Sequence, residues 1–127
     1  MTQVAIIDSG GANIASLKYA FDRLGVSAEL TTDQETIRKA ERVLLPGVGA
    51  ARDAMARLRS AQLIDTIRDL TQPVLGICLG MQLLCDGSEE EDVDCLGILP
   101  GVVQKLPATV DFAVPNMGWC ATQSVKT

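Results

Sequence analysis

The sequence predicts an α/β fold: an open, mainly parallel, flavodoxin-like sheet with helices on both faces. Three observations predict it. Short β-branched or apolar runs alternate with stretches whose apolar residues recur at helical spacing. The connections are short, and the order reads βαβαβαβα, a pattern that builds parallel sheets through helical crossovers. The chain has 127 residues, 47% hydrophobic and 21% charged, an ordinary globular mix sufficient for one core, so residues 1–127 are read as a single domain. With only 3% aromatic residues, that core must be built from Leu, Ile, Val, Ala and Met.

Each element has its own signal. "QVAIID" (3–8) is a continuous apolar run, as expected of a buried parallel strand. "SGGAN" (9–13) is a loop. Ile14, Leu17, Phe21 and Leu24 then share one helical face, with Gly25 as the stop. "SAELTT" (27–32) is a second strand, and Thr32 followed three residues later by Glu35 forms a capping box that starts a helix to about residue 40. "RVLLP" (42–46) is a third strand and Gly47-Val48-Gly49 a loop. A helix carrying Ala51, Met55 and Leu58 on one face follows, then a second helical piece over 63–70. "PVLGIC" (73–78) is the fourth strand, and a helix begins after Cys78. "GSEEEDVDC" (87–95) reads as an acidic, solvated surface loop, and "LGILPGVVQKLP" and "FAVPNMGWC" as short extended pieces.

Composition excludes several function classes. The net charge of −5 leaves no basic face to neutralise phosphates, which argues against nucleic acid as a partner. No apolar run approaches the ~18 residues of a membrane span. Residues 1–3 lead straight into a strand without a basic leader, so a cytoplasmic protein is expected. Cys78, Cys85, Cys95 and Cys120 form no C-x-x-C pair, and the chain contains no histidine, so no metal site is expected and the thiols are read as free.

The stretch that carries chemistry is "GICLG" (76–80). A residue at a sharp strand-to-helix turn needs small neighbours two positions away on each side, which is the steric logic of G-x-S-x-G nucleophile elbows; here the central residue is Cys78. A helix starting at Leu79 would point its partial positive charge at the sulfur and favour the reactive thiolate. The Leu79 N–H is then placed as one oxyanion donor. The Gly47-Val48-Gly49 loop, at the same edge of the sheet, can offer a second. A free cysteine at an apolar strand end is equally at home as a packing residue. Gly47 and Gly49 likewise suit an ordinary turn. Cys85, Cys95 and Cys120 lack such context and are read as structural or incidental.

"VAIIDSGGANIASLKYAFDRLG", "VLLPGVGAARDAMARL", "PVLGICLGMQLL", "CLGILPGVV" and "VPNMGW" resemble, in order and spacing, the triad-type (class I) glutamine amidotransferases. "PGVG" with "GICLGMQLL" carries the likeness to the group. "IID-x-G-x-x-N" and "P-x-MGW" are most similar to its glutaminase subunits of imidazole glycerol phosphate synthase, which serve histidine biosynthesis. The resemblance implies that Cys78 attacks the side-chain amide of L-glutamine, giving a glutamyl thioester and ammonia. It implies oxyanion donors at Val48 and Leu79, substrate contacts at Gly47, Gly49 and Gln82, and a loop at 47–49 that rearranges to align both donors. It implies no cofactor. It also implies a heterodimer in which Asn13, Met117, Gly118 and Trp119 face a (β/α)₈-barrel synthase subunit that receives the ammonia.

The chain departs from that family's pattern at Ser9, often aromatic there, at Ala12, usually glycine, and at Asn116, commonly histidine. The family's catalytic His and Glu have no counterpart in 1–127. The domain is therefore expected to be incomplete at its C-terminal side and inactive by itself. Two other readings keep the fold: another class I amidotransferase or Cys-elbow hydrolase, and a flavodoxin-like binding module without chemistry, with Asp8 as its strand-end acidic residue.

Overall fold

The computed structural model describes residues 3–11, 13–124 and 126. Ala12, one of the departures noted above, lies outside them. The first sheet comprises β1 (Val4–Ile7), β2 (Ala28–Thr31), β3 (Arg42–Leu45) and β4 (Val74–Gly76) in the order β2-β1-β3-β4. All three pairings are parallel, with Ala5 opposite Glu29 and Val43, and Leu44 opposite Leu75. The helices are α1 (Ile14–Arg23), α2 (Gln34–Lys39), α3 (Ala51–Ser60), α4 (Ile64–Arg68) and α5 (Leu79–Leu83). The predicted α/β class and parallel sheet are both present.

Alternation along the strands sorts the core into two layers. Ala5, Ile7, Val43 and Leu45 face one side, where they pack with Ile37 of α2, Ala51, Ala54, Met55 and Leu58 of α3, Ile67 of α4 and Leu79 and Leu83 of α5. Val4, Ile6 and Leu44 face the other side, covered by Ile14, Leu17 and Phe21 of α1. Ile6, Ile7 and Leu45 are fully buried, and each such side chain contributes about 1.5–3 kcal/mol of transfer free energy. Leu24 leaves the expected apolar face. It is the C-cap of α1, 73% exposed, because the helix ends at Arg23 and Gly25 turns away at φ +68°.

Two local expectations change. The cap of α2 is Asp33, not Thr32: Asp33 Oδ2 accepts from both the backbone N–H and the hydroxyl of Thr36, each at 2.8 Å. The acidic stretch 87–95 is not merely a solvated loop. It supplies the last two residues of β5 (Cys85–Ser88) and the whole of β6 (Val93–Asp94) to a second sheet with β7 (Leu99–Val103), in the order β6-β5-β7. Gly87, Ser88 and Cys95 are buried there, whereas Glu89–Asp92 and Asp94 are exposed. Beyond β7, residues 104–124 form neither helix nor strand.

Candidate active site

β3 and β4 are parallel neighbours, so the segments that leave their C-terminal ends lie side by side. One is Pro46-Gly47-Val48-Gly49; the other is Ile77-Cys78, which enters α5 directly. Cys78 sits at φ 54°, ψ −118°, a region that non-glycine residues occupy at a cost on the order of 1–3 kcal/mol and that concentrates at functional sites. The flanking glycines make the turn sterically feasible. A β-carbon at Gly80 would lie 1.7 Å from the carbonyl oxygen of Leu45, and one at Gly76 would lie 2.8 Å from the backbone nitrogen of Met81. The turn is closed by hydrogen bonds from Ile77 N–H to Leu45 O (3.0 Å), Gly80 N–H to Ile77 O (2.9 Å) and Gln82 N–H to Cys78 O (3.3 Å). Cys78 is an exposed free thiol, so it is not a core-packing residue.

The expected helix after Cys78 is present but has only five residues. Its aligned peptide dipoles are correspondingly few, and the electrostatic assistance expected from a long helix is reduced. The oxyanion geometry is also closed on itself. The Leu79 N–H donates to Gly47 O at 3.2 Å, so the first expected donor is occupied by the loop that should provide the second. The Gly47 carbonyl and the Val48 N–H belong to one peptide group. A single turn of that peptide withdraws the acceptor and brings in a donor. Gly47 is buried against Leu79, Val48 is 56% exposed, and Gly49 is at φ +97°, where glycine is favoured.

Gln82, one helical turn beyond Cys78, lines a cavity of about 600 Å³ with Ser88, Glu89, Glu90, Val103, Gln104 and Lys105. That volume suits a small polar ligand. Gly47, Gly49 and Cys78 do not line it. Sequence reasoning does not find Ser88, Glu89 and Glu90, because the acidic run reads as a surface loop, nor Lys105, which follows β7 and carries no pattern of its own. The signal that could have found them is the alternation of Val93 and Cys95 after the run, which marks a half-buried strand returning to the core.

The remaining candidates lie elsewhere. Asn13 caps α1, its side-chain oxygen accepting from the Ser16 N–H at 3.4 Å, and is exposed. Met117 and Trp119 are exposed, Trp119 completely so, and Gly118 adopts φ +127°. Among the described residues, no hydrogen bond ties 117–119 to the elbow or to α1. Asp8 accepts from the Gly10 N–H at 3.1 Å and organises its own loop. Cys85 is half-buried, Cys95 buried and Cys120 exposed. Burial pushes the Cys95 thiol above its ordinary value, with Cys85 and Asp94 adding to the effect. No helix among the described residues is long and apolar enough to cross a membrane.

A parallel sheet with a cysteine elbow at its C-terminal edge, facing a glycine-bearing loop, defines a class. The profile of the family described as glutamine amidotransferase class-I matches residues 5–119, and the chain belongs to that family. Among individual proteins, imidazole glycerol phosphate synthase subunit HisH of Xanthomonas campestris pv. campestris (strain 8004) is 56% identical over 119 residues, covering 94% of this chain and 60% of that protein. The protein of the same name from Haemophilus influenzae (strain 86-028NP) is 51% identical over 126 residues, covering 99% of this chain and 63% of its own length. A solved structure described as a glutamine amidotransferase aligns with TM-score 0.67 at 22% identity, over 81% of this chain and 56% of that one, and supports the fold. The chain thus spans about 60% of the length of the curated relatives it matches.

Proposed function

We propose that residues 1–127 form the substrate-binding and attacking part of a glutaminase subunit that passes ammonia to a (β/α)₈-barrel synthase subunit. In that assembly, a cytoplasmic heterodimer, the barrel makes imidazole glycerol phosphate and AICAR in histidine biosynthesis. The observation that carries the reading is the strained backbone of Cys78 between two glycines that no other residue could replace. The names and identities of the relatives give the choice of synthase over another amidotransferase or a Cys-elbow hydrolase.

In this reading the Cys78 sulfur attacks the side-chain carbonyl carbon of glutamine. The oxyanion is held by the Leu79 N–H and, after the Gly47–Val48 peptide has turned, by the Val48 N–H. The cavity beside Gln82 supplies complementary charge for a zwitterionic amino acid, with Glu89 and Glu90 for its ammonium and Lys105 for its carboxylate. Collapse of the tetrahedral species releases ammonia and leaves a glutamyl thioester, which water then hydrolyses. Both steps move protons and need a general acid/base. The 127 residues contain no histidine, so that group comes from outside them. Asn13, Met117, Gly118 and Trp119 face the barrel subunit, where a closed passage keeps ammonia from being protonated in water.

The test is glutamate release by the assembled synthase. Cys78→Ser is expected to lower kcat by about 10⁴–10⁶, and residues 1–127 alone are expected to show no turnover. Undiminished glutaminase activity in Cys78→Ser would remove the reading.

A further inference from the structure

The loop that follows β1 holds the stretch that must turn. Ser9 is 3% exposed, and its hydroxyl donates to the carbonyl oxygen of Pro46 at 3.0 Å, across 37 residues of sequence. That carbonyl belongs to the peptide immediately before Gly47–Val48. On the far side, Gly11 stands against the Val48 carbonyl: a β-carbon there would lie 3.1 Å from that oxygen. The β1 loop thus brackets the Gly47–Val48 peptide, gripping the plane before it and leaving clearance after it.

We propose that Ser9 is a positioning residue for the oxyanion loop, fixing the Pro46–Gly47 plane so that only the Gly47–Val48 peptide turns. The inference rests on the glutaminase reading for its catalytic consequence. It does not depend on that reading for its structural content, which is the state of the Leu79 N–H. With Pro46 anchored, rotation is confined to ψ of Gly47 and φ of Val48, and the Leu79 N–H has two defined partners: Gly47 O in the closed state and an oxyanion in the open one. Without the anchor, the Pro46 carbonyl is buried and unpaired, the plane before Gly47 drifts, and neither state is well defined. The same loop carries Asn13 at the start of α1.

The experiment compares Ser9→Ala, which deletes the hydroxyl, with Ser9→Thr, which keeps it, in the assembled protein. The first readout is residue-resolved amide hydrogen exchange at Leu79, referenced to Ile6 in the middle of β1 so that global loosening cancels. Ser9→Ala is expected to accelerate Leu79 exchange relative to Ile6 by roughly three- to tenfold, the value of one ordinary hydrogen bond. Ser9→Thr is expected to stay within about twofold of the unsubstituted protein on the same scale. The second readout is the rate at which a glutamine-derived chloromethyl ketone modifies Cys78, divided by the rate with iodoacetamide, which forms no oxyanion. That ratio is expected to fall in Ser9→Ala and be restored in Ser9→Thr. Unchanged relative exchange at Leu79 in Ser9→Ala overturns the proposal, as does acceleration that Ile6 shares in equal measure. Failure of the unsubstituted protein to react with the ketone counts against the glutaminase reading alone; the exchange comparison still decides the role of Ser9.

Discussion

A β-carbon at Gly80 would overlap the Leu45 carbonyl at 1.7 Å, and the obstacle is backbone rather than a flexible side chain. Replacing glycine by alanine inside a helix ordinarily stabilises by about 0.5–1 kcal/mol. Here the sign reverses: Gly80→Ala is expected to destabilise by about 1–3 kcal/mol, read as a lower urea midpoint, because α5 must move off β3. An unchanged or higher midpoint would show that the contact between α5 and β3 is not as close as described. The cysteines make a second test at this scale. Cys78 is exposed, whereas Cys95 is buried and its thiol is pushed up, so Cys95 stays protonated and shielded at neutral pH. In a brief iodoacetamide pulse followed by peptide mapping, Cys95 is expected to be modified last, and at the pace of Cys78 only after unfolding. The "GICLG" spacing made the elbow legible because its requirement is local. The closed Leu79–Gly47 hydrogen bond was not legible, because it joins the start of α5 to a loop 32 residues earlier whose peptide orientation leaves no trace in side-chain pattern.

Among the described elements, α2 carries a cap whose contribution responds to acid. The Asp33 carboxyl lies below its ordinary 3.8, first because the Thr36 backbone N–H donates to the carboxylate, then because the Thr36 hydroxyl does, with Lys39 adding a smaller attraction. A lowered native value means that this contribution is fully present above 3.8 and is lost as pH falls through the native value. Asp33→Ala is expected to lower Tm at neutral pH and to remove part of the fall in Tm seen on acidification below about pH 4, followed by circular dichroism. An acid slope identical to that of the unsubstituted protein would contradict it. The strands and α1 to α3 were readable because apolar period and β-branching determine them one segment at a time. The cap of α2 lies one residue later than the Thr32–Glu35 spacing suggests, because Asp33 is itself a strong N-cap residue and a charged acceptor taking two bonds from Thr36 prevails over a hydroxyl. The second sheet escaped notice because its strands β5 and β6 flank an acidic turn, and charge masked the alternation. The cavity residues of that sheet were lost with it.

At the scale of the whole molecule, the apolar surface is unevenly covered. α1 packs over β1 and β2, while Leu75 on edge strand β4, in register with buried Leu44, is 61% exposed, with Ile77 and Met81 exposed just beyond it. Leu99 and Val102 of β7 and the side chains of Leu106, Val110 and Phe112 are exposed as well. An edge strand with exposed apolar residues templates association. Residues 1–127 are expected to self-associate with rising concentration in sedimentation velocity, and Leu75→Glu to reduce that association while changing stability by no more than about 0.5 kcal/mol. Association that is unaffected by Leu75→Glu would place the sticky surface elsewhere. In the proposed function, the elbow at Cys78, the loop at 47–49 and the charged cavity serve attack, and proton transfer, in 127 residues without histidine, is assigned to a group outside them. Attack alone is therefore the claim to test. The direct measurement is mass-spectrometric mapping after treatment with a glutamine-derived electrophile such as diazo-oxo-norleucine. The account predicts one adduct, on Cys78, suppressed by excess L-glutamine; no adduct, or one spread evenly over Cys78, Cys85, Cys95 and Cys120 and indifferent to glutamine, would contradict it.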